Sequence, residues 1–211
     1  MNRIPEKLLS DRHRYLPMLK RLQGLFEEMD QVYASVAEQY GFRCMGCENN
    51  CCLTRFYHHT LLEVLYLAEG MRTLPTDTKQ AFIRQARAVE RQTAAAAERS
   101  ESGGRRMCPL NQEGRCMIYA YRPMICRLHG IPHELHRPNG GVIKNPGCDA
   151  FFDQCQKGGK KDYIQFDRTP FYRKMALLEG ELRRATGYAA KIKLTIAQML
   201  MTIMETAHEI D

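Results

Sequence analysis

The sequence predicts a mostly α-helical fold in which helices flank an irregular, cysteine-rich centre, with room for short strands. Three observations predict it. Apolar residues recur at helical spacing at both ends of the chain. Between them, cysteines lie among Gly, Pro, Asn and Arg without helical periodicity. The 211 residues, 44% apolar, suffice for one core. We therefore expect a single domain, 1–211, with a helical N-terminal part (5–40), a cysteine-cluster region (41–160) and a C-terminal helical pair (168–211).

A long helix is predicted in the N-terminal part, starting near Pro17. Its apolar stripe repeats with alternating spacings of four and three residues, and comprises Tyr15, Leu19, Leu22, Phe26, Met29, Tyr33, Val36 and Tyr40. Such a heptad stripe is typical of a long core helix or of a dimer seam. The core helix is the favoured interpretation, and a homodimer through Leu19–Tyr40 is the alternative.

Two more helices are predicted before the connector 100–104. Thr60-Leu-Leu-Glu63 has the form of a capping box and opens a short helix to about Met71. Asp77-Thr-Lys-Gln80 has a related pattern and opens another helix. Its second half, 93–99, is rich in alanine and weakly amphipathic. We expect that half to fray or to project into the flexible connector.

The C-terminal pair is predicted from start and stop signals. Thr169-Pro170 marks a helix start and Gly187 its end. The apolar stripe between them is Phe171, Met175, Leu178, Leu182 and Ala185. Thr195-Ile-Ala-Gln198 opens the final helix. Its apolar residues are Ile196, Met199, Leu200, Ile203, Met204 and Ala207.

Eight of the nine cysteines form one pattern, which consists of Cys44, Cys47, Cys51, Cys52, Cys108, Cys116, Cys126 and Cys148. Disulfides, inert buried thiols and metal ligands are the three alternatives. The N-terminal segment has charges throughout and no apolar core of the kind that a secretory signal needs, so we expect a reducing, cytoplasmic environment that disfavours disulfides. Because the cysteines lie in irregular polar stretches, they are interpreted as metal ligands.

The spacing of the first four cysteines adds detail. Cys44-x2-Cys47 lets a tight turn aim two thiolates at one centre, and Gly46 permits the positive φ that such turns often need. The adjacent pair Cys51-Cys52 is different, because neighbouring side chains point in different directions. The pair is therefore interpreted as a branch point, with each sulfur serving a different metal or both serving a multinuclear cluster.

Three parts of the sequence carry a family resemblance: the run Cys-Met-Gly-Cys-Glu-Asn-Asn-Cys-Cys, the later Cys148, and above all Cys116-Met-Ile-Tyr-Ala-Tyr-Arg-Pro-Met-Ile-Cys-Arg127. Together they resemble the YkgJ-type cysteine-cluster family. The resemblance covers Cys44 to about Cys148 and implies a zinc- or iron-chelating domain with eight recurring cysteines. Two features depart from the family pattern. Three residues separate Cys47 from Cys51 where some relatives have two, and Cys155 is a ninth cysteine outside the pattern. A flagellin lysine methylase carries a similar cysteine motif, which keeps an enzymatic function open.

The donor set limits the metal. Eight thiolates suit zinc, iron–sulfur clusters or Cu(I), since all three favour soft sulfur. Zinc predicts two closed tetrahedral sites. Cu(I) binding is supported by the thioethers of four methionines close to cysteines, which are Met45, Met107, Met117 and Met124. Cys108-Pro resembles the Cys-Pro ending of bacterial ferredoxin motifs. A 4Fe-4S cluster is the favoured cofactor, and zinc is the alternative.

Histidines are secondary candidates. His58, His59 and His129 follow cysteines closely and could complete a coordination sphere or act as an acid or base. The alternative is an ordinary hydrogen-bonded histidine near the surface. His129 is the strongest of the three because it lies one turn beyond Cys126. With Cys155, these residues are the less certain ligands.

The formal charge of +7 counts every cysteine as neutral. A divalent metal held by four thiolates carries about −2, so two such centres would lower the total to about +3. Many basic residues also lie near the cysteines and are interpreted as offsetting thiolate charge; they are Arg43, Arg55, Arg105, Arg106, Arg115, Arg122, Arg127 and Lys144. Nucleic acid is therefore not the expected partner. The most apolar stretch, 61–68, contains Glu63, so no membrane insertion is expected.

Three functional hypotheses follow. The first is an iron–sulfur protein for electron transfer or an accessory redox role. The second is a cluster-dependent modifying enzyme such as a protein lysine methylase. The third is a structural zinc module that binds a partner. A redox or substrate protein is the expected partner, and no phosphate loop, Ser-His-Asp arrangement or nucleotide fingerprint indicates a separate catalytic site.

Overall fold

The computed structural model describes residues 4–44, 51–99, 105–157 and 162–205. Its helices are α1 (Glu6–Ser10), α2 (Leu16–Tyr40), α3 (Leu61–Arg72), α4 (Thr76–Glu98), α5 (Met124–Leu128), α6 (Asp149–Cys155), α7 (Thr169–Thr186) and α8 (Ile196–Glu205). Its strands are β1 (Asn111–Gln112), β2 (Arg115–Cys116), β3 (His133–His136) and β4 (Val142–Asn145), which form the antiparallel pairs β1–β2 and β3–β4. The protein is mostly α-helical with short strands, as the sequence predicts.

The long helix α2 is a core helix. Pro17 lies in its first turn, and Gly41 ends it with a left-handed φ of 66°. Of the predicted heptad stripe, every residue is buried except Tyr33, which is half-buried and packs against the same core. Through this face α2 contacts α3, α5 and α7. The stripe is therefore occupied by packing within the chain.

Helix α3 lies at the centre of the packing, because it is apolar on nearly every side and contacts α2, α7 and α8. Thr60 Oγ1 accepts a hydrogen bond from Glu63 N at 3.2 Å, so the predicted cap is confirmed. Glu179 on α7 accepts hydrogen bonds from Leu61 N and Leu62 N at 2.9 and 3.0 Å, which satisfies two further donors of the first turn. None of the helices in the described segments is both long and apolar enough to cross a membrane.

Two predictions about α4 are wrong. The helix begins at Thr76 after Pro75 and has no side-chain cap, so the proposed cap Asp77 lies inside the first turn. Proline at this boundary sets an extended entry to the helix without a capping side chain. The segment 93–99 is helical as far as Glu98, because α4 packs along α8 and Ala96 is buried in the protein. Alanine has the highest helix propensity, which favours the same outcome. The connector 100–104 lies outside the described residues.

The C-terminal helices begin as predicted. Helix α7 has a proline in its first turn and ends at Gly187, whose φ is 71°. Its predicted stripe is buried except for Ala185, which is exposed, so that assignment is wrong. Helix α8 has a reciprocal capping box: Gln198 N donates to Thr195 Oγ1 at 3.2 Å, and Thr195 N donates to Gln198 Oε1 at 3.0 Å. Ala207 lies outside the described residues.

Candidate metal centre

A backbone hydrogen bond joins two cysteine segments that are distant in the sequence. Cys51 and Cys52 lie in a short 3₁₀ turn, Cys51–Leu53, that precedes the extended entry to α3. Cys108 N donates to the carbonyl oxygen of Cys52 at 2.8 Å. This bond closes the long excursion through α3 and α4 and places Cys108 beside the adjacent cysteine pair.

The β1–β2 hairpin brings Cys116 to the same place. Asn111 pairs with Cys116, and the two-residue loop between the strands is Glu113-Gly114, with φ values of 51° and 82°. Positive φ at both positions is the geometry of a type I′ turn, which matches the twist of a tight hairpin. Asn111 N donates to the carbonyl oxygen of Cys108 at 3.0 Å. Cys108 and Cys116 are thereby held at one end of the hairpin.

Cys126 is presented by the short helix α5. Pro123 occupies the N-cap position, and its carbonyl accepts a hydrogen bond from Cys126 N at 3.1 Å. The buried carboxylate of Glu63, on α3, accepts a hydrogen bond from Met124 N at 3.1 Å. Helix α5 therefore starts against α3, and its position fixes that of the Cys126 thiol.

Two arginines of the motif clamp α5 to α2. The buried Arg127 donates to Asp30 Oδ2 at 2.5 Å, to the carbonyl of Arg122 at 2.9 Å, and to the carbonyl of Ala120. Arg122 donates to the other oxygen of Asp30 at 3.0 Å. Burial raises the pKa of Cys116, and both arginines act in the opposite direction. They serve both as a clamp on Asp30 and as cations close to a thiol.

Cys148 is held by its backbone. Its N–H donates to the carbonyl of Gly130 at 2.8 Å, and it forms the N-cap position of α6. Gly130 and Gly147 both have positive φ, 126° and 95°. The hydroxyl of Tyr33, on α2, donates to the carbonyl of His129 at 2.9 Å. Cys148 is thus fixed to the side of the molecule where Tyr33 lies.

Six cysteines line one cavity of about 510 Å³; they are Cys44, Cys51, Cys52, Cys108, Cys116 and Cys126. The wall formed by α4 and the start of α8 contributes Val89, Glu90, Thr93, Thr195, Ile196 and Ala197. Four arginines also line the cavity, namely Arg55, Arg106, Arg115 and Arg122. The volume lies in the range of small-molecule sites, about 300–1,000 Å³.

Four of these thiols interact electrostatically and are termed the inner set: Cys52, Cys108, Cys116 and Cys126. Burial raises the pKa of Cys126 well above its ordinary value, and repulsion from the other three raises it further. Burial raises the pKa of Cys108 to about 12, again with repulsion from Cys52 and Cys116. Hydrogen bonds from Cys51 and Asn111 lower the pKa of Cys52 to about 6. These four sulfurs therefore lie close enough for one charge to affect the others.

Three further thiols, termed the outer set, act through their charge on the hydroxyl of Tyr33: Cys44, Cys51 and Cys148. Burial raises the pKa of the Tyr33 hydroxyl, and repulsion from these three thiols raises it further. The pKa of Cys51 is raised by its hydrogen bond with Cys52, by burial, and by repulsion from neighbours that include Cys126 and Cys44. The adjacent pair therefore lies where the two sets meet. Cys47 lies outside the described residues.

The chemistry of these donors fits a thiophilic metal. Buried thiols with raised pKa values release their protons only if a cation compensates the thiolates, and sulfur ligands favour zinc and iron. Within the described segments, no three Cys, His, Asp or Glu side chains are already arranged to hold a metal ion. The fit therefore rests on donor chemistry and on the shared cavity.

The predicted histidines lie in three different environments. His58 is 2% exposed and lines the cavity, with Nδ1 at 3.7 Å from Glu63 Oε1. Neither of its ring nitrogens has a hydrogen-bond partner in the described part of the chain. His59 is exposed. His129 contacts the ring of Phe56 edge-on at 5.2 Å, and burial together with the charge of Arg168 lowers its pKa. Of the three, the structure brings only His58 to the cavity wall.

Cys155 lies in the hydrophobic core, away from the cavity. It is 4% exposed, and its thiol donates to the carbonyl of Tyr40 at 3.5 Å.

Sequence reasoning missed Asp30, and it treated Glu63 only as a capping residue. The two arginines of the motif could have indicated a carboxylate partner, but its position on α2 depends on the fold.

A helical protein that gathers this many cysteines around one cavity belongs to the class of metal-chelating cysteine-cluster proteins. The family model CxxCxxCC, described as "Putative zinc- or iron-chelating domain", matches residues 43–149, slightly more than half of the chain. The chain belongs to this family, as its resemblance in the sequence implies. Among curated proteins and among solved structures, none matches the chain significantly.

Proposed function

We propose that the protein holds two metal centres and uses them for electron transfer. The inner set would hold one centre through Cys52, Cys108, Cys116 and Cys126. The second would use the outer set, Cys44, Cys51 and Cys148, together with Cys47. The proposal rests on one observation: two groups of electrostatically interacting thiols are joined through the adjacent pair Cys51-Cys52.

Iron–sulfur clusters, most simply of the 4Fe-4S type, are the proposed cofactors. Bound there, they supply reversible one-electron exchange at potentials that depend on charge, hydrogen bonds and exposure. The chain supplies the remaining functions. Burial of Cys108 and Cys126 limits the access of water, Arg122 and Arg127 favour the thiolate of Cys116, and Asn111 donates toward Cys52. Burial alone disfavours ionised sulfur, so the bound metal would compensate the thiolates, with support from the two arginines and Asn111.

The test is anaerobic purification of the full chain with iron, sulfide and zinc analysis. We expect iron with inorganic sulfide and a broad visible absorbance. Cys126→Ser and Cys148→Ser should each remove part of the metal with different spectral changes, whereas Cys155→Ser, the matched control in the core, should retain all of it. Colourless protein with stoichiometric zinc would replace the proposal by a structural zinc module. Folded protein that binds no metal would refute both.

A metal-dependent modifying enzyme is the second candidate, because the cavity is large enough for a ligand beside the inner set. His58 supplies a buried ring with a free Nε2 in its wall, and Glu63 lies behind it. Filling the cavity with Ala197→Phe distinguishes the two functions. An electron-transfer centre should keep its metal and its exchange with a redox dye, whereas an enzyme should keep its metal and lose turnover.

We also propose a cytoplasmic location and a redox or substrate protein as partner. Several surface cations form ion pairs, such as Arg12 with Glu69 and Lys174 with Glu28. Arg122, one of the cations near the cysteines, likewise pairs with Asp30. Part of the basic excess is therefore engaged within the chain, which supports a protein partner over nucleic acid. Co-purification from cells before and after reduction tests the choice, since a nucleic-acid partner would be lost on nuclease treatment.

A further inference from the structure

The side chain of Arg168 is among the largest that are fully buried, at 2% exposure. Its Nε and Nη2 atoms are buried and have no hydrogen-bond partner among the residues that the structure describes. Arg168 occupies the N-cap position of α7, where the partial positive charge of the helix N-terminus adds to its own. The guanidinium lies 5.5 Å from the ring of Phe166. A buried cation without an anion is unfavourable, so this residue requires an explanation.

The described groups around Arg168 do not supply the missing charge. Those that act on its pKa, besides burial, are Tyr172, Tyr33 and Tyr163, which are neutral phenols near pH 7. Burial and Arg168 together lower the pKa of His129, which favours the neutral imidazole. Burial lowers the pKa of Arg168 to about 10, so the guanidinium remains charged at neutral pH.

A continuous series of contacts leads from Arg168 to the outer set. Its guanidinium faces Phe166, whose ring contacts the ring of Tyr33 edge-on at 6.4 Å between centroids. The hydroxyl of Tyr33 donates to the carbonyl of His129, and the next residue, Gly130, accepts the N–H of Cys148 at 2.8 Å. Burial raises the pKa of the Tyr33 hydroxyl, the three thiols of the outer set raise it further, and Arg168 lowers it, so this hydroxyl is within electrostatic range of both.

The cation is also held in place by the backbone. Arg168 N donates to the carbonyl of Glu134 at 3.0 Å, and Glu134 N donates to the carbonyl of Phe166 at 2.9 Å. Strand β3 therefore fixes the segment before α7 and gives the guanidinium little freedom to turn toward solvent.

We propose that Arg168 is the charge-compensating residue of the outer metal centre, an inference that rests on the proposed function. A metal held by four thiolates carries about −2, and a nearby buried cation offsets part of it. Among the described residues of the metal-free chain, no anion offsets this cation. Removal of the charge should therefore have opposite effects on the metal-free and the metal-loaded protein.

The first experiment compares Arg168→Met with wild type in the reduced, metal-free full chain and after loading with Co²⁺. Methionine preserves much of the volume and removes the charge. In the metal-free protein, the melting temperature should rise by at least about 2 °C. The gain in melting temperature on Co²⁺ loading should become smaller. Arg168→Lys should keep most of that gain, and Arg137→Met, which removes an exposed charge, should change neither value.

A second experiment assigns the effect to one set. In a Cys116→Ser background, where only the outer set is complete, Arg168→Met should weaken Co²⁺ binding about 10–100-fold. In a Cys148→Ser background it should leave the affinity of the inner set unchanged. Two results would overturn this inference and leave the proposed function standing. One is equal Co²⁺ affinity with and without Arg168→Met in the Cys116→Ser background. The other is equal destabilisation of the metal-free and the loaded protein by Arg168→Met. Wild type that binds neither Co²⁺ nor iron with sulfide would refute the proposed function as well.

Discussion

Gly147→Ala tests how the backbone positions Cys148. Gly147 has a φ of 95°, and a Cβ atom added there would lie 2.8 Å from the carbonyl oxygen of Gly130. That oxygen already accepts the N–H of Cys148, so it cannot move away without breaking the bond. The same Cβ would lie 3.1 Å from Phe151 and 3.2 Å from Pro132. The substitution should therefore displace Cys148 itself.

Two costs contribute to the expected effect. A left-handed conformation costs a residue with a Cβ about 1–2 kcal/mol. Crowding in a packed site adds about 1–3 kcal/mol, because the nearest neighbour is backbone and cannot change rotamer. Gly147→Ala should therefore lower the free energy of unfolding by about 2–5 kcal/mol. Gly187→Ala is the matched control: its φ is 71°, and no described residue lies within 4 Å of the added Cβ, so only the first cost applies.

Urea unfolding of the reduced, metal-free chain measures the two variants, and Co²⁺ titration measures their metal sites. We expect Gly147→Ala to lose more stability than Gly187→Ala and to lose the Co²⁺ bound by the outer set, while the inner set binds normally. Gly187→Ala should bind both equivalents. Equal stability losses in the two variants, or full Co²⁺ binding by Gly147→Ala, would refute the proposed role of the close contact with Gly130.

Three further predictions concern the supporting residues. Burial raises the pKa of Glu63, but the nearby charge of His58 and the hydrogen bonds from Thr60 and Met124 N outweigh burial, so the pKa of Glu63 lies below the ordinary value of 4.5. A depressed pKa stabilises the fold above about pH 4.5, and that contribution is lost as pH falls through the folded pKa. In metal-free Glu63→Gln, the free energy of unfolding should therefore fall less steeply than in wild type as the pH is lowered below about 4.5. In Arg127→Lys, the lysine cannot reproduce the forked hydrogen bonds to Asp30 and two carbonyls. The free energy of unfolding in urea should therefore fall by about 2–4 kcal/mol, and a fall below about 0.5 kcal/mol would contradict the role of Arg127 in holding α5 against α2. Cys155→Ala should cost about 1–2 kcal/mol and leave metal content unchanged, whereas lost metal would make Cys155 a ligand.

The sequence predicted the elements whose signals are local. The heptad spacing of α2, the Thr60 cap of α3 and the reciprocal box of Thr195 with Gln198 depend on residues three or four apart, and each is present in the structure. The start of α4 was assigned to a capping side chain that the structure does not use, because Pro75 sets the boundary. Ala185 follows the stripe of α7 but is exposed in the structure.

The candidate site was predictable only as a list of donors. The spacing indicated which cysteines belong to the pattern, and Cys51-Cys52 suggested a division between two centres. The partners that hold these cysteines are distant in the sequence: Asp30 binds Arg127 across 97 residues, and Glu63 accepts the N–H of Met124 across 61. Such pairs arise from the packing of α2, α3 and α5, which no local pattern specifies.

The C-terminal helices lie outside the region that matches the family, yet they complete the metal-binding half. Glu179 on α7 satisfies the first donors of α3, the helix that carries Glu63. The start of α8 closes the cavity beside α4, where Thr195 and Gln198 donate to Glu90 at 3.3 and 2.9 Å. Without α7 and α8, the first turn of α3 would lose acceptors and the inner set would face water along one wall. The cysteine segments therefore specify the donors, and the helices after residue 168 add to the burial of their surroundings by closing one wall and supporting α3.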